Sequence, residues 1–180
     1  MIIMINGAFG VGKTTVARIL VNRISNSTLF DPEIIGFVLR RLPHSLLLET
    51  RSPDDFQDFI LWRKLTILTA VLLHKIGRRT VIMPMTFSNL AYLNQIRFAF
   101  LRDGITVHHF CLTASVEVVQ KRLMERGVSP SSAAGKWVYP RATYCCKVHS
   151  APEFSQHITT DERLPSAVAD EILERIETAV

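Results

Sequence analysis

The stretch that decides the fold is Met1–Leu20, MIIMINGAFGVGKTTVARIL. Ile2–Asn6 reads as a short buried strand, and Lys13–Arg23 as the helix after it. Between them, Gly7-Ala8-Phe9-Gly10-Val11-Gly12-Lys13-Thr14 fits G-x-x-x-x-G-K-[ST] at every position. The glycines let successive backbone N–H groups converge on phosphate oxygens, and the helix adds the positive end of its dipole. Lys13 then reaches the β- and γ-phosphates as a point charge, and Thr14 offers a hydroxyl to Mg²⁺. Thr15 is one residue further along, in reach of the α-phosphate. The pattern alone arises by chance, but here it follows a strand and opens a helix, which makes it a nucleotide site.

Outward from that unit, strands and helices alternate. Thr28–Phe30 is a candidate second strand ending at Asp31-Pro32, and Ile34–Arg41 a short helix. Pro43–Arg51 is an irregular connection. A long helix is expected from Ser52, with Pro53, Asp54 and Asp55 supplying helix-start chemistry. Strands at Arg79–Met85 and Ile105–Leu112 flank a helix from Ser88 to about Asp103, which Gly104 ends. Ser115–Arg126 is the next helix, and Val128–Gly135 a short stretch of flexible composition. A helix at about Ala134–Lys147, a strand at Gln156–Thr159 and an amphipathic helix from Ser166 close the chain. This order predicts an α/β fold, a three-layer sandwich whose five-stranded parallel sheet carries helices on both faces. A single domain over residues 1–180 is expected.

Composition narrows the class. The chain has 180 residues, 48% of them hydrophobic, which argues against disorder. Its longest apolar run, Leu65–Leu73, falls far short of the roughly 20 residues of a membrane span. Met1–Ile5 is too short for a signal peptide and lacks a preceding basic region, so a cytoplasmic protein without a transmembrane segment is expected. Cys111, Cys145 and Cys146 form neither a disulfide framework nor a spaced metal site. The net charge of +5 is scattered, with no run of five or six basic residues, and no nucleic-acid partner is expected. His108 and His109 lie on a buried-type strand without spaced partner ligands, which favours a structural role.

The chain lacks the N-K-x-D and D-x-x-G motifs of GTPases, leaving the small-kinase type of P-loop protein, in which a mobile lid closes over the phosphates. Arg122 and Arg126 stand four apart on one helical face, directly before the flexible stretch. Small P-loop kinases carry an R-x-x-x-R at the lid hinge. By this resemblance Arg122 stacks near the adenine and Arg126 binds phosphate as a lid of about residues 122–147 shuts. The alternative is a solvated helix face with Glu125 as partner. Lys136 and Arg141 are weaker candidates on the far side of the lid. Gly36–Arg40, GFVLR, resembles the segment with which nucleoside-monophosphate kinases hold an acceptor's phosphate, so Arg40 is either an acceptor contact or a surface arginine.

Along nearly its full length the chain resembles the tunicamycin-resistance family of P-loop proteins. The matching stretches are MIIMINGAFGVGKT, DPEIIGFVLR, DDFQDFILWR, VIMPMT, and HHFCLTAS followed by KRL. The resemblance implies an ATP-binding protein of the small-kinase fold that confers resistance to a nucleoside antibiotic.

Phosphoryl transfer needs positioning, metal, and often a carboxylate that takes the acceptor's proton. Asp31 lies at the expected C-terminal end of the second strand, where ligands of open α/β sheets collect. It is the first candidate for base and metal ligand, with capping of the following helix as the alternative. Glu33 is two residues on. The third strand reads Val81-Ile82-Met83-Pro84-Met85-Thr86, without the aspartate with which relatives hold the Mg²⁺ water shell. Either Asp31 takes the metal role or the site binds ATP and turns it over poorly. Phe56, Phe59 and Trp62 either face a ring-bearing or lipid-like substrate, with Arg63 as polar contact, or pack as the apolar side of a helix. The leading expectation is therefore an ATP- and Mg²⁺-dependent phosphotransferase acting on tunicamycin or another nucleoside-like small molecule, with Lys13, Asp31 and Arg126 catalytic. The alternatives are an ATP-driven module that sequesters the drug unmodified and a metabolic small-molecule kinase.

Overall fold

The computed structural model describes residues 1–42, 55–154 and 156–178. Its centre is β1 (Ile2–Gly7), whose six residues are all buried, as the unbroken apolar run dictates for a strand covered on both faces. β1 pairs in parallel with β3 (Thr80–Pro84) on one side and β4 (Val107–Thr113) on the other. β2 (Ser27–Leu29) extends the sheet beyond β3, and β5 (His157–Thr159) beyond β4. The order is β2-β3-β1-β4-β5, all parallel, as the alternation of elements predicts.

The described helices are α1 (Lys13–Arg23), α2 (Glu33–Leu39), α3 (Ile60–Lys75), α4 (Leu90–Arg102), α5 (Val116–Glu125), α6 (Ala133–His149) and α7 (Pro165–Glu177). Alternating strand residues divide the core. Ile2, Met4, Val81, Met83 and Cys111 pack with Trp62 and Ala70 of α3 and Leu93, Ile96 and Phe100 of α4. Ile3, Ile5, Ile82, Phe110 and Leu112 pack with α1 and α7. The amphipathic pattern of the closing helix accounts for its place, since Val168, Ala169, Ile172 and Ile176 are its buried residues. Among the described residues no helix is long and apolar enough to cross a membrane.

The long helix differs from expectation. Asp55 caps a one-turn 3₁₀ helix at Phe56–Asp58, accepting the Gln57 N–H at 2.9 Å, and α3 starts only at Ile60. Ser52, Pro53 and Asp54 lie outside the described residues. The turn survives as a separate element because Arg63 of α3 reaches back to it, donating to the carbonyls of Gln57 and Asp58. Asn89 rather than Ser88 caps α4, accepting the Ala91 N–H at 2.9 Å.

One polar clamp ties β1 to the segment after β3. Asn6 is buried, its amide donates to the Phe87 carbonyl at 3.1 Å, and its Oδ1 accepts the Phe87 N–H at 2.7 Å. His149, at the end of α6, donates its Nε2–H to the same carbonyl at 2.7 Å. The Asn6→Ala variant strands a buried peptide N–H, and urea unfolding should record a loss of about 2–3 kcal/mol. A second outcome concerns pH. Burial, with Arg97, His149 and His157 nearby, holds the His109 ring down to about 3, and neither ring nitrogen has a partner among the described residues. Burial likewise holds His149 down to about 4, against its bond to Phe87. The unfolded chain takes up these protons below about pH 6.5 while the fold keeps both rings neutral, so stability is full above that value and falls toward about pH 4. Unfolding midpoints should reveal a loss of about 2 kcal/mol between pH 6 and pH 5, and His109→Leu should roughly halve that slope.

Candidate functional site

The turn between β1 and α1 is built for close approach by an anion. Gly12, directly before α1, has φ 108°, a conformation that side chains rarely adopt, and it leaves the N-terminal N–H groups of the helix open. Lys13 Nζ donates to the Ala8 carbonyl at 2.9 Å, folded across the loop. Burial pulls the Lys13 ammonium down to about 8, with Glu33 opposing the shift and Arg126 adding to it. Thr14 and Thr15 are exposed at the first turn of the helix.

A cleft of about 170 Å³ opens beside this loop, lined by Gly10, Val11, Gly12, Thr15, Arg122, Arg126, Thr160, Arg163 and Pro165 among others. Arg122 and Arg126 thus reach one cleft, and among the described residues neither is ion-paired with Glu125. Arg122 is held by the protein itself. It donates to the Val11 carbonyl at 3.3 Å, to Thr160 Oγ1 at 2.9 Å and to the Thr160 carbonyl at 2.7 Å. This arginine therefore pins the P-loop to the loop after β5. Arg163 and Pro165 escaped the sequence analysis. Arg163 is anchored by Glu171 of α7 at 2.6 Å, a pairing that no local motif announces.

On the other side of the P-loop lies a second cavity, of about 350 Å³, lined by Phe9, Glu33, Phe37, Arg40, Asp55, Phe56, Gln57, Thr86 and Trp137. Its size is that of a small-molecule site. Gly36 makes its α2 wall possible, because a Cβ there would stand 2.5 Å from the Phe56 ring. Arg40 lies over that ring, 5.4 Å from its centre, and Trp137 meets Phe9 edge-on at 5.5 Å. Arg141 stacks on Trp137 at 4.3 Å, whereas Lys136 is exposed.

Of Asp31 and Glu33, it is Glu33 that lines this cavity, together with Asp55. Asp31 Oδ1 accepts the Glu33 N–H at 3.0 Å, the capping role. Burial raises the Glu33 carboxyl, Lys13 draws it back, and Asp31 and Asp55 raise it further. Of the two readings of the Phe56–Arg63 segment, packing describes Trp62 and Arg63. Trp62 is fully buried, donating Nε1–H to the Pro32 carbonyl at 3.0 Å and bracing Phe56 and Phe87. Arg63 is buried as well, bonded to Gln95 at 2.9 Å and to the turn carbonyls, and stacked on Tyr92 at 4.2 Å. Both hold up the cavity wall from behind, because their donors are spent inside the protein. Gln57 was missed: its Nε2 donates to the Thr86 carbonyl at 2.7 Å and joins two walls. The only sequence signal for it was its place in DDFQDF.

The geometry invites comparison with known proteins. No family model matches the chain, and no curated protein matches it. Among solved structures it is similar to the tunicamycin resistance protein of Deinococcus radiodurans, with 30% identity, 97% of this chain and 94% of that one covered, and a TM-score of 0.74. A sugar kinase from Janibacter sp. HTCC2649 gives 15% identity, 98% and 94% coverage, and a TM-score of 0.65. The shikimate kinase of Acinetobacter baumannii, solved with shikimate, gives 17% identity, 99% and 93% coverage, and a TM-score of 0.60. These two kinases share the fold alone.

With Lys13 neutralising near pH 8 in the free protein, ATP affinity should decline above that pH. The slope should approach tenfold per pH unit, as calorimetry at stepped pH will measure. Lys13→Arg should bind with a flat profile over the same range.

Proposed function

The chain belongs to the tunicamycin-resistance protein family, and on that premise we propose that it is an ATP-dependent phosphotransferase acting on a nucleoside-like antibiotic or a related small molecule. The observation that carries this is the P-loop standing between the two clefts: Gly10, Val11 and Gly12 line the smaller one, while Phe9 lines the 350 Å³ cavity together with Glu33, the carboxylate whose charge is felt at Lys13.

Bound Mg²⁺-ATP supplies the phosphoryl group and the metal that spreads its charge. Lys13 and the N–H groups of the P-loop hold the β- and γ-phosphates. Thr14 at the head of α1 and Asp31 beyond β2 are the residues that would hold the metal, and a hydroxyl and a carboxylate suit a hard cation. Arg122 and Arg163 border the nucleotide, and Arg126 meets its phosphates as the lid of about residues 122–147 shuts. Glu33 accepts the acceptor's hydroxyl proton as that oxygen bonds to the γ-phosphorus and the bond to the β,γ-bridging oxygen opens, releasing ADP. A raised Glu33 carboxyl suits a base, since proton affinity closer to neutrality strengthens it.

A second reading, sequestration of the drug without transfer, is favoured by one feature. The segment after β3 offers Thr86, a buried hydroxyl, and no carboxylate at the cavity.

Incubation with ATP, Mg²⁺ and tunicamycin, followed by mass spectrometry, should yield drug carrying one added phosphoryl group. Glu33→Gln should lower turnover about 10²–10⁴-fold with ATP binding intact. Intact drug bound in proportion to protein would establish sequestration instead. Turnover of other acceptors alone would identify a metabolic kinase.

A further inference from the structure

The larger cavity carries three charged side chains among its lining residues: Glu33, Asp55 and Arg40. Two of the three are carboxylates, and the arginine is not an open anion hook. Arg40 lies on the Phe56 ring, and burial raises the Asp55 carboxyl against the Gln57 N–H, Arg141 and then Arg40, which draw it back. Asp55 is itself rigidly set, because one of its oxygens accepts the Gln57 N–H at 2.9 Å. Gln57 gives one amide N–H to the Thr86 carbonyl, which fixes its side chain in the wall. The carboxylates of Glu33 and Asp55 supply the lining with hydrogen-bond acceptors, framed by aromatic rings, Phe56 on one wall and Trp137 on the other.

Burial raises both carboxyls, which reflects how little water reaches them. An anion entering this space meets two carboxylates in a poorly solvated cavity, with Arg40 as the one cation of its described lining. A molecule presenting hydroxyl or N–H donors on a ring meets acceptors and a stacking surface instead.

We propose that Asp55 is the specificity-determining residue of the acceptor cavity, restricting it to uncharged, donor-bearing ring compounds and rejecting carboxylate or phosphate acceptors. This rests on the cavity being the acceptor site of the proposed phosphotransferase, but not on phosphoryl transfer taking place.

Trp137 lines the cavity and is 42% exposed, whereas Trp62 is fully buried, so quenching of tryptophan fluorescence reports occupancy. The full chain, with a non-hydrolysable ATP analogue on the P-loop, is titrated with uridine and with uridine 5′-carboxylate. Uridine should quench saturably, and the carboxylate should bind about tenfold more weakly or worse. Asp55→Asn and Asp55→Ser both keep a residue able to cap the turn, and each should narrow the gap to about threefold or less. Adding Arg40→Gln to Asp55→Asn should reopen it. Equal binding of the two probes to the native chain, an unchanged gap in the folded variants, or no saturable quenching by uridine or tunicamycin overturns the proposal. An intact gap in a protein that transfers no phosphoryl group overturns the phosphotransferase and leaves this proposal standing.

Discussion

The peptide of Phe87 is the point on which the two clefts depend. Asn6 pairs with both of its polar groups, and His149 reaches the same carbonyl. Asn6 directly precedes the P-loop, Phe87 directly follows Thr86 on the cavity wall, and His149 ends α6, the helix that carries Trp137. A buried peptide left unpaired costs on the order of 1–3 kcal/mol, so these three segments keep a common reference. From Thr86 the constraint passes to Gln57 and through its turn to Asp55, while Arg63 grips that turn from below. The P-loop and the wall of the larger cavity are thereby registered to each other through hydrogen bonds rather than through loose loop packing.

Burial acts on the charges in opposite senses and the site balances it. It pulls the Lys13 ammonium down to about 8 and pushes the Glu33 carboxyl up, and each group partly restores the other's charge. A phosphate held by Lys13 brings negative charge toward Glu33 and raises its proton affinity further, which favours proton acceptance when nucleotide is present. The nearby thiols take no part in this balance. Burial pushes Cys111 up to about 12 and Cys145 up to about 11, and all three cysteines are free.

The P-loop and α6 meet through rings. Phe9 occupies one of the variable positions of the loop, with Lys13 Nζ 5.7 Å from its centre and Trp137 against its edge. Arg141 extends the stack on the far side of Trp137. Cation–π and edge-to-face contacts of this kind contribute about 0.5–1.5 kcal/mol each, strong enough to orient α6 over the cavity and weak enough to part.

The fold, the P-loop and the convergence of Arg122 and Arg126 on one cleft were legible in the sequence because each is carried by local spacing. A strand period, a helix period and a glycine pattern depend on near neighbours along the chain. The larger cavity was not legible in that way, since its lining comes from the P-loop, α2, the Asp55 turn, the segment after β3 and α6. The sequence left the Phe56–Arg63 segment between a substrate face and helix packing, and tertiary packing turned Trp62 and Arg63 inward to brace the wall. Asp31 and Glu33 are two residues apart and chemically alike. Only the direction in which the α2 turn leaves the sheet decided that Asp31 caps a backbone N–H while Glu33 lines the cavity. The sequence by itself determined the strand, glycine loop and helix and where they lie; the tertiary structure decided that Glu33 rather than Asp31 lines the cavity beside them, because side-chain direction at a turn is set by what the whole chain packs against.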